Sequence, residues 1–426
     1  MEITELYKLF LEADGICTDT RKIVPGTLFF ALKGANFNGN AFAQKAIEEG
    51  CVAAIVDEED KAGDKIFYVK DVLKALQDIA LHHRRQFDIP VLGITGSNGK
   101  TTTKELIGAV LEKKYNLLIT EGNLNNHLGV PFTLLRLTGD HEMAIIEMGA
   151  NKPGDIKELA EIAEPDFGVI TNIGAAHIEG FGSIQGVINT KTELYRNIEE
   201  RAGVLFVNQD DEILTSNLPE GIKTVSYSSK SESGIIGKVE NLTPFLEFSW
   251  KVGDGISRRV ASNLVGSYNL YNFLTAICIG DYFDVDHDEI SKALAEYIPS
   301  NNRSQVQKTE RNTLVVDCYN ANPTSMKAAL ENFEGIHHEN KWLILGSMRE
   351  LGHIEKEEHQ KVATYLLSSD VNYFLVGEEF KGMAENNWFS TTQDLIASGQ
   401  LSQLNNGLVL LKASRGIGLE KLIPEL

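Results

Sequence analysis

The sequence predicts an α/β protein of three domains, the second and third each built on a mostly parallel sheet. Three observations predict this. The chain has 426 residues, more than one core organises. A strand-then-helix rhythm runs through its middle, the pattern of parallel strands joined by crossover helices. That rhythm lapses into turn-rich β sequence and restarts after Pro299-Ser300-Asn301-Asn302. The expected division is 1–87, 88–300 and 301–426.

The first segment mixes short strands and helices. Residues 52–57 read as a buried strand and 73–87 as a helix stopped by Asp88-Ile89-Pro90. His82-His83-Arg84-Arg85-Gln86 reads as that helix's solvated end, leading into a linker. In the second segment, 91–95 is an apolar strand and 101–113 a helix; 144–147 is a strand and 154–163 a helix; 169–172 and 204–208 are further strands. Between about 223 and 262 the alternation is that of an antiparallel flank, with strands at 224–228 and 245–252, and a helix follows at 269–283. The third segment gives strands at 313–317, 342–346, 373–376 and 409–412, with helices at 323–333 and 355–368, a Rossmann-like series.

Composition excludes several classes. Hydrophobic residues make up 42% and charged residues 23%, as in ordinary globular proteins. A formal charge of −20 argues against nucleic-acid partners, which need a basic face to displace counterions. Acidic residues stand near the N-terminus where a signal peptide carries basic ones, and no run reaches the roughly 18 apolar residues of a membrane helix. Cys17, Cys51, Cys278 and Cys318 are far apart in sequence and read as reduced core thiols. The expectation is a cytoplasmic monomer without membrane contact.

Thr95-Gly96-Ser97-Asn98-Gly99-Lys100-Thr101 joins an apolar strand to a helix, as a phosphate loop must. Glycines let backbone N–H groups turn toward phosphate oxygens, and the helix N-terminus adds partial positive charge. Lys100 would reach the terminal phosphates and Thr101 would ligate Mg²⁺, with Thr102 beside it. The common pattern has an earlier glycine where this chain has Ile94, so the loop is a GxxGKT variant. The central domain is therefore expected to be P-loop ATPase-like. Glu147 ends a strand, where it is either a hard ligand for Mg²⁺ or a solvated carboxylate. His177 lies in a glycine-bearing loop after another strand and is either structural or functional. Lys191, by its own pattern, is a solvated helix-surface lysine.

Taken together, these segments resemble the Mur ligases of peptidoglycan synthesis. Asp19-Thr20-Arg21-Lys22 with the 25–34 stretch looks like the family's UDP-binding N-terminal domain. Gly96 to Thr101 is similar to its ATP loop, and Asn123-Leu124-Asn125-Asn126 to the segment after it. Glu147-Met148-Gly149-Ala150-Asn151 and 177–183 match its metal strand and loop. Asp317-Cys318-Tyr319-Asn320-Ala321-Asn322-Pro323 resembles the branch that adds D-alanyl-D-alanine to UDP-N-acetylmuramoyl-tripeptide.

The resemblance implies roles. ATP and two Mg²⁺ ions are expected. Lys100 and Thr101 would hold the phosphates and, with Glu147, the first ion. His177 and a carbamylated Lys191 would hold the second. Asn269 and Asn272 would contact adenine, and Arg303, Asp317 and Tyr319 would close on the nucleotide. Asn123, Asn126, Asn320 and Asn322 would lie near the substrates, with Thr20 and Arg21 at the uridine diphosphate end. Each has a plainer alternative: Asn269 and Asn272 as helix caps, Asn320 to Pro323 as a strand–turn–helix cap, Thr20 and Arg21 as turn and surface residues. His127, Tyr268 and Ser347 depart from the family pattern, which has Glu, His and Asp there. The implied reaction is ATP-dependent amide ligation through an acyl phosphate. The alternatives are another ligase of this superfamily, adding the third residue or extending folylpolyglutamate, and a P-loop switch with slow ATP hydrolysis independent of any amine.

Overall fold

Three sheets organise the chain, and the alternation of apolar side chains along their strands explains why each is covered on both faces. The computed structural model describes residues 1–230, 234–242, 245–299, 302–384 and 386–426. The first sheet is parallel and orders its strands Ile16–Cys17, Leu28–Phe30, Ala53–Val56 and Ile66–Tyr68. Ala53–Val56 is buried at every position, as its uninterrupted apolar run predicts.

The second sheet has nine strands. Leu117–Ile119, Met143–Glu147, Val91–Thr95, Phe167–Ile170, Val204–Asn208 and Lys223–Ser228 run parallel in that spatial order. Ile235–Asn241 extends the series in parallel, and Glu247–Val252 and Arg258–Ala261 then pair antiparallel. The antiparallel flank therefore starts later than the sequence suggests, because Lys223–Ser228 still pairs parallel with Val204–Asn208. Along Val91–Thr95 the side chains divide by period two: Val91 joins one core, Leu92 and Ile94 the other. The chain leaves this strand toward Met143–Glu147 on one side and later returns as Phe167–Ile170 on the other. Its C-terminal end is thus a topological switch point, where open α/β sheets form ligand crevices.

The third sheet orders Gln305–Lys308, Thr313–Asp317, Leu408–Lys412, Lys341–Gly346, Asn372–Val376 and Trp388–Phe389, all parallel except the first. Leu343, Leu345 and Leu410 face one core; Ile344, Val409 and Leu411 face the other. This is the doubly covered sheet expected of the C-terminal segment. Ser300 and Asn301, where the sequence places the boundary between the second and third segments, lie outside the described residues.

One expectation is overturned at the first junction. Helix Val72–Arg84 ends earlier than expected, and its C-terminal end is only partly solvated: His83 and Arg84 are both buried. Tyr7 Oη lies 2.9 Å from His83 Nδ1, and His83 Nε2 lies 2.9 Å from the Leu137 carbonyl. Arg84 donates to the carbonyls of Ala163 and Phe87 and pairs with Asp166. His83 and Arg84 form a buried joint because backbone carbonyls of the central segment supply their partners, while Arg85 and Gln86 stay exposed as expected. One continuous apolar cluster follows, from Leu6 and Phe10 through Leu76 and Ile79 to Leu134, Ile146 and Leu159.

Candidate active site

The phosphate loop sits at the switch point. Val91–Thr95 is fully buried and delivers the chain to Gly96, whose φ of 146° favours glycine. A Cβ there would meet Thr171 Oγ1 at 2.0 Å, so the position also has no room for a side chain. Gly99, at φ 80°, turns the chain into helix Lys100–Leu111. Asn172 clamps the loop from the neighbouring strand end: its Oδ1 accepts from Asn98 N at 3.0 Å and its Nδ2 donates to Asn98 O at 3.0 Å. Thr171 Oγ1 donates to the same carbonyl at 2.6 Å.

Lys100 Nζ folds back on the loop and donates to Gly96 O at 2.6 Å. Burial pushes its ammonium down to about 8; Glu147 opposes that shift and the Arg303 cation adds to it. Glu147 is no solvated strand end. It is 1% exposed; its Oε1 accepts from Asn125 Nδ2 at 2.7 Å and from Thr101 Oγ1 at 3.3 Å. Its Oε2 has no hydrogen-bond donor among the described residues, and its nearest charged partner is Lys104 Nζ at 4.0 Å. A buried carboxylate oxygen beside a threonine hydroxyl and a phosphate loop is a fitting donor set for a hard cation.

Lys191 corrects the reading from its own sequence pattern. It is 2% exposed, at the end of helix Ile184–Lys191, with Nζ 5.7 Å from the centre of the Phe181 ring. Burial, reinforced by Lys100, pushes its amine well below the usual lysine range. His177 is also pushed down by burial, against the pull of Glu350. Its Nδ1 pairs with the Glu350 carboxylate of the third sheet's domain. Among the described residues no three His, Cys, Asp or Glu side chains gather into a metal cluster.

A cavity of about 680 Å³ opens over the loop. Ser97, Asn98, Gly99, Lys100, Thr101 and Thr102 form its floor, and Glu147, His177, Asn269 and Asn272 join them. Arg303, Asp317, Tyr319 and Asn320 face it from the C-terminal side, and Asn123 and Asn126 from the other. Lys191 stands behind the wall rather than in it, yet its charge acts on His177. The Arg303 guanidinium stacks 3.8 Å from the Tyr319 ring centre, and its Nε has no hydrogen-bond partner among the described residues. Asp317 Oδ2 accepts from Lys412 Nζ at 2.6 Å.

Several asparagines serve two ends. Asn322 caps helix Pro323–Gly335 through Ser325 N at 3.0 Å and also donates to Asn98 Oδ1 on the phosphate loop at 2.7 Å. Asn126 Oδ1 accepts from Leu128 N and Gly129 N, just ahead of helix Gly129–Leu134. Asn269 and Asn272 bond each other at 2.7 Å. Thr20 and Arg21 lie outside the cavity, on the loop after Ile16–Cys17, where Arg21 is exposed and pairs with Asp19. Sequence reasoning missed Asn125, Asn172, Lys104 and Lys412. Asn172 and Lys412 stand at C-terminal ends of parallel strands, the placement that drew notice to Glu147.

Comparison with known proteins decides the family. Residues 12–84 match the Mur ligase family catalytic domain, 94–280 the Mur ligase middle domain, and 302–415 the Mur ligase glutamate ligase domain. The chain belongs to the Mur ligase family. Among Mur ligases, UDP-N-acetylmuramoyl-tripeptide–D-alanyl-D-alanine ligase of Bacillus subtilis is 32% identical, over 97% of this chain and 93% of that protein. The crystal structure I of MurF from Acinetobacter baumannii superposes with a TM-score of 0.90 at 30% identity, covering 100% of this chain and 98% of that one. The MurF ligase of Thermotoga maritima in complex with ADP gives 0.87 at 27%, covering 97% of each chain. The α/β, three-domain architecture expected from the sequence is the Mur ligase fold.

Proposed function

We propose that this Mur ligase uses ATP to join D-alanyl-D-alanine to the terminal carboxylate of UDP-N-acetylmuramoyl-tripeptide, forming an amide through an acyl phosphate. The observation that carries the reading is the phosphate loop beneath a cavity lined from two domains, in a chain whose full-length relatives bear that ligase's name. The domain division at 1–87, 88–300 and 301–426 belongs to the same reading: substrate nucleotide, ATP and closing domain in turn.

A carboxylate resists amines because it is anionic and its oxygen leaves poorly. Attack of that oxygen on the γ-phosphorus expels ADP and converts it into a leaving phosphate. The neutral amine of the dipeptide then bonds to the acyl carbon, its proton passes to solvent, and the tetrahedral adduct collapses to amide and phosphate. Lys100, released from Gly96 O, neutralises the transferring phosphoryl oxygens, and Arg303 adds a second cation from the C-terminal side. Asn98, held by Asn172 and Asn322, keeps the loop amides turned to the phosphates.

Two Mg²⁺ ions fit the remaining groups: Thr101 and Glu147 would hold one, His177 and Lys191 as its carbamate the other. Bound there, they supply charge neutralisation at the phosphates. Burial lowers the Lys191 amine well below the usual lysine range, which favours the neutral form that carbamylation by CO₂ consumes, and the product would be an anionic oxygen ligand. Asn269 and Asn272 are assigned to adenine, Asp317 and Tyr319 to the nucleotide's C-terminal side. Asn123, Asn126, Asn320 and Asn322 are assigned to the peptide substrates, and Thr20 and Arg21 to the uridine diphosphate. Among the described residues no helix is long and apolar enough to cross a membrane.

A ligation assay tests the reading. With UDP-N-acetylmuramoyl-tripeptide and ATP, D-alanyl-D-alanine should be consumed and single amino acids should not. Preference for a single amino acid would assign the chain to a third-residue-adding or folylpolyglutamate-type ligase instead.

A further inference from the structure

We propose that Glu350 is a positioning residue for His177, so that docking of the C-terminal domain completes the second cation site. The inference rests on the two-magnesium reading above and adds a residue from a different domain to it.

His177 stands just before helix Ile178–Phe181 in a left-handed conformation, φ 53°. Its Nδ1 is buried and makes no hydrogen bond of ordinary geometry among the described residues; the Glu350 carboxylate faces it as an ion-pair partner. Glu350 arrives from the loop after strand Lys341–Gly346, in the third sheet. It too is left-handed, φ 63°, a conformation that a non-glycine residue holds only when its surroundings enforce it. The neighbouring stretch of chain approaches closely on this side. Glu179 N donates to Glu350 O at 3.3 Å, and a Cβ on Gly352 would lie 3.3 Å from Glu179 Cα. The loop is equally fixed to its own domain. Met348 N donates to His359 Nε2 at 3.0 Å, Arg349 N to Ser414 Oγ at 3.0 Å, and the Arg349 guanidinium pairs with Glu379 at 2.7 Å. Glu350 therefore moves with the C-terminal domain as a unit.

The chemistry follows from imidazole. A neutral ring with its proton on Nδ1, donated to a carboxylate, presents the Nε2 lone pair outward, the form a metal accepts. The carboxylate also fixes the ring's rotation and raises the basicity of Nε2. When the C-terminal domain is displaced, Glu350 leaves and the ring loses both constraints. Binding of the second cation and domain docking are then coupled, and the charge needed for phosphoryl transfer is assembled only in the closed enzyme.

Mn²⁺ titration of the full chain, with a non-hydrolysable ATP analogue and the UDP-linked tripeptide, tests this. Wild type should take up two ions. Glu350→Ala should keep the first and bind the second about 10- to 100-fold more weakly. Glu350→Gln, whose amide oxygen still accepts from Nδ1–H, should fall between them. Unchanged affinity for both ions in Glu350→Ala overturns the proposal while leaving the two-ion reading intact. Equal losses in both variants, with X-ray scattering showing an open enzyme, would make Glu350 an interdomain tether and also overturn it. Uptake of a single ion by wild type overturns the two-ion reading itself.

Discussion

Under the proposed function Lys100 is the residue on which the chemistry turns, and its surroundings support that reading. Its ammonium is buried, lies near the Arg303 cation, and is held by carbonyls of its own loop. An anion of several charges is the partner that relieves such a site. Lys100→Ala should reduce ligation by roughly 100-fold or more, the typical loss when one electrostatic donor is removed. Binding of the UDP-linked substrate should survive, measured by calorimetry; wild-type turnover in the variant would refute the assignment. At this scale the sequence was partly legible. The glycines and Lys100 announced themselves because a phosphate loop has a local pattern. Glu147 and Lys191 did not announce their burial, since what buries them lies far away in sequence: Asn125 and Lys104 around one, Phe181 and the neighbouring helices around the other. Asn125 was passed over although Gly149 leaves room for it: a Cβ there would meet its Oδ1 at 2.9 Å.

At the scale of elements, two buried histidines join segments that sequence reading kept apart. His83 ties helices Ile3–Glu12 and Val72–Arg84 to the Leu137 carbonyl. His359 accepts from Met348 N and bonds the Glu355 carbonyl through Nδ1 at 2.7 Å. Burial pushes both below the ordinary histidine value of 6.5. The sign follows directly: the unfolded chain binds these protons more readily than the folded one. Their stabilising effect is therefore full above about pH 6.5 and fades as the pH falls through and below that value. Thermal midpoints should drop between pH 7 and pH 5, and His83→Gln should flatten the drop; an unchanged slope in that variant would contradict the account. Long, periodic elements such as 91–95 and 355–368 were legible from pattern alone. Short strands such as Leu117–Ile119 and Trp388–Phe389 were not, because two or three residues carry no period and their pairing is set by distant neighbours. His83 and Arg84 misled because charge reads as solvation until carbonyl and carboxylate partners from another segment appear.

Under the proposed function, the three sheets are arranged so that an acyl phosphate can be made and kept from water. Contacts between the second and third sheets' domains surround the loop: Asn322 to Asn98 at 2.7 Å, Thr324 Oγ1 from Ala175 N at 3.3 Å, and Glu350 to His177. In the proposed mechanism these contacts would exclude solvent and complete the charge balance together. The α/β plan was legible because the strand–helix rhythm is periodic and restarts in the C-terminal segment, although the antiparallel flank begins later than the pattern suggested. The docking of the parts was not, since it is made by single side chains such as Asn322 and Glu350. The central claim is that phosphoryl transfer at this loop serves amide formation. Phosphate release from ATP, measured with UDP-N-acetylmuramoyl-tripeptide in the presence and absence of D-alanyl-D-alanine, tests it most directly. The account predicts release in step with amide product and little without the dipeptide; steady release that ignores the dipeptide would contradict it.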